Sequence, residues 1–193
     1  MLKALLIFLL ALSSLPVAAQ DFARAELFGG YQYVHFGSST SDGVTASGQG
    51  FNGWNVSVAY NFKKHLGVVG DLGGSYATIS GISNHFYTFT GGPLVSLNAA
   101  ARVNPFVHAL LGGARASASA TSAGVTASVA SNGFSAMLGG GVDARVTRAF
   151  SVRVIQADWL YYHLGGIAGT SSSSQSNNVR ISIGLVYRFI PFS

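Results

Sequence analysis

The chain has 193 residues, of which 49% are hydrophobic and only 9% charged, with 25 glycines and no cysteine. That length fits one domain; the charge content lies far below the roughly 25% of an average soluble domain, the apolar content excludes disorder, and glycine without a three-residue period excludes collagen. The lack of cysteine removes disulfides, thiol catalysis and thiolate metal sites, and the 11 basic residues behind the net charge of +5 are scattered, not gathered into the stripe that nucleic-acid binding requires.

Residues 1–19 read as a secretory signal peptide. Lys3 supplies the positive start, Ala4 to Leu12 the apolar stretch, and Val17-Ala18-Ala19 the small residues of a cleavage site after Ala19 or Gln20. The apolar run is too short for a membrane-spanning helix, which needs about 20 residues. The expected mature domain is therefore 20–193.

From there on, apolar residues recur with period two, the signal of β-strands. Eight such segments follow in order, at 24–36, 51–62, 66–77, 85–98, 105–116, 133–146, 150–163 and 178–189. In the second, Trp54, Val56, Val58, Tyr60 and Phe62 oppose Asn55, Ser57, Ala59 and Asn61. In the last, Val179, Ile181, Ile183, Leu185, Tyr187 and Phe189 oppose Arg180, Ser182, Gly184, Val186 and Arg188. The seventh breaks its own parity, and one extra residue near Ile155 restores it; a β-bulge is expected there, with Arg153, Gln156 and Asp158 on one face and Trp159 and Tyr161 on the other. Each segment reaches the 9–11 residues of a tilted membrane strand.

The connections alternate in length. Those at 63–65, 99–104 and 147–149 are short; those at 37–50, 78–84, 117–132 and 164–177 are long or flexible, the long ones built from Ser, Thr, Gly and Ala. This pattern predicts an eight-stranded antiparallel up-and-down transmembrane β-barrel, all-β, with the short turns and both termini on the periplasmic side. Tags near Val125 or Ser172 are then expected to be reachable from outside the cell, and one at Lys64 not. A soluble barrel places its apolar face inside and a membrane barrel places it outside. The charge poverty, the strand length and the signal peptide favour the second.

On that reading Glu26, Asp71, Asp143, Arg145, Arg153, Asp158, Arg180 and Arg188 face the lumen and form a structural charge network, since an unpaired buried charge is very costly. Expected pairs are Asp143 with Arg153, Glu26 with Arg188 and Asp158 with Arg180. Tyr60, Phe62, Phe106, Phe150, Tyr187 and Phe189 are expected in an aromatic girdle at the periplasmic interface, and Trp54, Tyr76, Phe134, Trp159 and Tyr161 in one at the outer interface.

Glu26 to Tyr31, Gly53 to Phe62, Pro105 to Gly113 and the strand Ile181 to Phe189 together resemble the small OmpA/OmpX-type outer membrane protein beta-barrel superfamily. The resemblance covers the whole mature chain and concerns architecture, not activity. It implies residence in the bacterial outer membrane among lipid and lipopolysaccharide. It also implies recognition of the aromatic-ended final strand by the outer-membrane assembly machinery, although here Phe189 is followed by Ile190-Pro191-Phe192-Ser193.

No chemistry stands out. The five histidines lack metal-ligand spacing, although His108 is expected to point inward. No histidine is followed two positions later by serine, as in outer-membrane lipid A deacylases. Gly139-Gly140-Gly141 lies within a strand pattern and not before a helix, so it is not a phosphate loop. No catalytic residue, cofactor or nucleic-acid partner is expected. The favoured role is structural or surface-interacting, with an unidentified external ligand; a narrow passive pore and a lipid-modifying enzyme are the alternatives.

Overall fold

The computed structural model describes residues 22–37, 39–41, 44–46, 48–79, 81–122, 125–164 and 173–189. Residues 1–19, read above as a signal peptide, residue 172 and the tail at 190–193 lie outside these residues.

Among the described residues ten strands follow in order: β1 (Ala25–Phe36), β2 (Ser39–Ser41), β3 (Val44–Ala46), β4 (Gln49–Lys63), β5 (Leu66–Ile79), β6 (Ile82–Ser96), β7 (Val103–Ser122), β8 (Val125–Arg145), β9 (Phe150–Leu164) and β10 (Ser173–Phe189). Eight of them close a barrel in the order β1-β10-β9-β8-β7-β6-β5-β4, and β2 and β3 form a separate small hairpin. Every barrel pairing is antiparallel, and β10 closes on β1 from Ala25↔Phe189 to Phe36↔Asn178.

The barrel is inverted relative to a soluble one. Leu111, Leu138 and Leu185 on its outside are 63%, 60% and 59% exposed, whereas Arg180 and Asp158 inside are each 1% exposed. A hydrocarbon solvent accounts for this arrangement: apolar side chains face it, and a closed ladder leaves the sheet no open edge.

Three expectations about connections are corrected; the one at 164–177 is shortened, because β10 already begins at Ser173, which pairs with Leu164. Residues 117–132 were read as a long loop, but β7 and β8 stay paired up to Ser122↔Val125. Alternating Ser, Ala and Thr carry a ladder without an apolar face, so hydrophobic periodicity does not register them. Likewise 78–84 is a tight hairpin, with Ile79 paired to Ile82 and Gly81 at φ 78°. This is a left-handed conformation that glycine adopts without steric cost.

The bulge lies where parity requires it. Val142 pairs with Ile155 and Asp143 with Arg153, while on the other side Ser182 pairs with Gln156 and Gly184 with Arg153. Val154 and Ile155 therefore both face outward, at 55% and 46% exposure, and Arg153, Gln156 and Asp158 are buried.

Candidate functional site

The lumen is filled in layers. At the end away from the short turns, Phe36 meets Phe51, Phe86 and Tyr162 edge-on at 4.9, 5.0 and 5.8 Å between ring centroids, and Val34, Leu160 and Leu164 pack into the same cluster. Beneath this apolar plug lies a continuous polar network.

Arg180 of β10 is its centre. It donates to Asp71 Oδ1 and Oδ2 at 2.6 and 3.3 Å and, through Nε, to Asp158 Oδ2 at 2.8 Å. Asp158 lies on the neighbouring strand, opposite Arg180 in the ladder. Asp71 lies on β5, with β1 and β4 standing between it and β10, so its bond to Arg180 spans the lumen. Asn55 anchors Asp71, donating to Oδ2 at 2.9 Å and to the Leu72 carbonyl at 3.0 Å.

Asp158 also holds His108 Nε2 at 2.7 Å and accepts from Gln156 Nε2 at 2.8 Å. His108 reaches it from β7 across β8. Gly139 of β8 stands opposite Asp158, and a Cβ there would lie 2.1 Å from Asp158 Oδ1. A side chain at that position would displace the carboxylate.

Gln156 Oε1 accepts from Arg153 Nη1 at 2.7 Å, and Arg153 makes a two-pronged contact with Asp143 at 2.8 and 3.0 Å. The Arg153 guanidinium sits between the rings of Phe28 and Phe106, at 4.3 and 4.4 Å from their centroids. Three carboxylates thus face two guanidiniums and one imidazole, with most of their hydrogen-bonding positions occupied. A buried charge persists under such pairing.

At the short-turn rim Glu26 pairs with Arg188 at 3.3 Å. Arg145, expected in the ion-pair network, instead donates to the Ala99 carbonyl at 2.9 Å, and it has no carboxylate within salt-bridge distance among the described residues. The turn between β6 and β7 folds over the rim and brings that carbonyl to it. Arg188 reaches the same carbonyl at 3.4 Å.

The girdle residues separate into two bands, with one correction. Phe62, Phe150, Tyr187 and Phe189 face outward near the short turns, and Trp54, Tyr76, Phe134 and Trp159 near the other end; each is at least 37% exposed. Tyr60 and Tyr161 are half-buried. Phe106 does not belong to the girdle: it is 4% exposed and faces the lumen. It shares parity with His108 and Leu110, and its ring covers Arg153. The sequence reading missed Phe28, Asn55 and the cross-lumen Asp71–Arg180 bond. The alternation on β1 and β4 places Phe28 and Asn55 on the inner face, but pairing across a lumen leaves no trace in local periodicity.

Within the network, Glu26, Ser57, Asp71, His108 and Arg153 line a cavity of about 10 Å³, roughly the room for one water. Among the described residues no group of three His, Asp or Glu side chains could hold a metal ion.

No curated protein matches the chain. Among solved structures, Ail, the attachment invasion locus protein of Yersinia pestis, superposes with a TM-score of 0.59 at 18% identity, over 87% of this chain and 99% of Ail. Neisserial surface protein A superposes with 0.59 at 16% identity, over 90% and 100% of the two chains. OprG of Pseudomonas aeruginosa does so with 0.54 at 13% identity, over 91% and 100%. These likenesses concern the fold. The model of the outer membrane protein beta-barrel domain matches residues 4–189, and the chain belongs to that family.

Proposed function

We propose that this chain is a plugged barrel of the bacterial outer membrane, exported by a cleaved signal peptide, with a structural or surface-presenting role. The single observation that carries this reading is the filled lumen: the aromatic cluster of Phe36, Phe51, Phe86 and Tyr162 lies over the Arg180 network. An eight-stranded barrel has an interior just wide enough for side chains, and here those side chains are bonded to one another across it. The short-turn end faces the periplasm, because small outer-membrane barrels keep their short turns there. The β7–β8 hairpin then projects outward as the longest paired extension among the described residues. The final strand, through Phe189, is the segment the assembly machinery reads.

Planar-bilayer recording tests the reading. The refolded barrel is expected to give no stepwise currents, and discrete openings in the wild-type protein would replace this reading with the narrow pore.

A further inference from the structure

We propose that the short-turn rim is a collar for anionic phospholipid headgroups, recognised through their phosphates. Each of the three short turns carries exposed cations at or beside it: Lys63 at the end of β4 and Lys64 in the turn to β5, Arg102 between β6 and β7, and Arg148 between β8 and β9. In the closed barrel these turns are separated from one another by hairpins of the opposite end, so the cations surround the rim and do not form one patch. The carboxylates nearest this rim among the described residues are turned away from solvent: Glu26 is held by Arg188 and Asp143 by Arg153. No described carboxylate is therefore exposed there to neutralise the ring.

Depth selects the partner. Lys63 directly follows Phe62, Arg148 lies two residues before Phe150, and Arg102 precedes the half-exposed Val103. The cations thus emerge just beyond the band where the apolar outer surface ends, which is the level of lipid headgroups. A basic side chain next to an anionic leaflet contributes about fivefold in affinity. The opposite end lacks this feature. Among the described residues Arg115 is the cation there, and it donates to Asn132 at 3.4 Å. The asymmetry favours the phospholipid leaflet on the short-turn side over phosphates on the other. Which leaflet that is rests on the orientation proposed above; the charge ring itself does not.

The test uses the full mature barrel refolded in phosphatidylcholine vesicles containing phosphatidylglycerol. Spin-labelled lipids measure the composition of the protein's boundary shell. Wild type is expected to enrich phosphatidylglycerol over phosphatidylcholine by about fivefold per site, and to lose the enrichment in about 1 M salt, where the screening length is about 3 Å. The variant Lys63→Gln/Lys64→Gln/Arg102→Gln/Arg148→Gln is expected to approach parity, and Arg115→Gln to match wild type. If the fourfold variant does not fold, Lys63→Gln/Lys64→Gln alone is expected to lose part of the enrichment. The proposal is overturned by equal partitioning in wild type, by enrichment that survives high salt or the turn substitutions, or by its loss in Arg115→Gln. Thiol labelling from outside cells tests the orientation separately, so failure of the orientation leaves the lipid result standing.

Discussion

At the scale of single residues, the stability of this barrel turns on charges that cannot be left alone. Asp143 and Arg153 are 6% and 8% exposed and joined by two bonds. Removing one partner strands the other, which costs about 3–5 kcal/mol when the pair is buried; the same pair in rim water would be worth about 0–1 kcal/mol. Urea titrations of the folded barrel in vesicles distinguish the two. Asp143→Ala and Arg153→Ala are each expected to lose an amount in the larger range, and the double variant no more than the worse single one. Losses that simply add would show the two side chains to be uncoupled. Arg153→Ala also removes the cation between Phe28 and Phe106, so it is expected to be the worse of the two. Much of this site was legible beforehand: the pairs Asp143–Arg153, Glu26–Arg188 and Asp158–Arg180 lie on adjacent strands at registers set by the short turns and the strand ends. Asp71–Arg180 and His108–Asp158 were not, because both cross the lumen between strands that are not neighbours. Phe106 was misplaced because an aromatic near a strand end was taken for a girdle residue, although its parity with His108 already put it inside.

At the scale of the strand, the bulge in β9 decides which way a charge points. Val154 is the extra residue: without it, Ile155 and Arg153 would continue one-to-one against Val142 and Asp143 on β8, and against Ile183 and Gly184 on β10. Deleting Val154 is therefore expected to give a barrel that still inserts and shows the heat-dependent electrophoretic mobility of a folded one. Deleting Val152 removes a residue from regular ladder, and the parity is then repaired by turning Arg153 outward. An arginine on the lipid face costs about 2–4 kcal/mol at the midplane and less towards the interface, and Asp143 is left without its partner, so this variant is expected to be less stable than the Val154 deletion. If both deletions behave alike, the bulge does not set the direction of Arg153. The eight strands and this irregularity were readable because alternation is strict wherever one face meets lipid. The reach of β7 and β8 was not. Beyond the membrane, both faces of a Ser-Ala-Thr ribbon meet water, so no period marks it and only backbone pairing does.

At the scale of the whole molecule, the two ends of the barrel are unequal in length and in charge. The β7–β8 hairpin runs 20 and 21 residues per strand, well past the 9–11 needed to cross the membrane, while the short-turn end closes in a few residues and carries Lys63, Lys64, Arg102 and Arg148. In the orientation proposed above, insertion from the periplasm carries the longer hairpin end through the bilayer. That end here contains Ser, Thr and Ala with few charges, which lowers the cost of passage. Because the chain contains no cysteine, a single introduced thiol reports its own position. Ser128→Cys, exposed near the tip of the long hairpin and paired with Ser119, is expected to react on intact cells with a maleimide that does not cross the outer membrane. Lys64→Cys, in the turn after β4, is expected to react only once the cells are opened. Both substitutions fall at exposed positions outside the lumenal network, so each variant is expected to fold and provide its own control. Labelling of Lys64→Cys on intact cells, with Ser128→Cys silent, would turn the barrel over and place the basic rim on the outside.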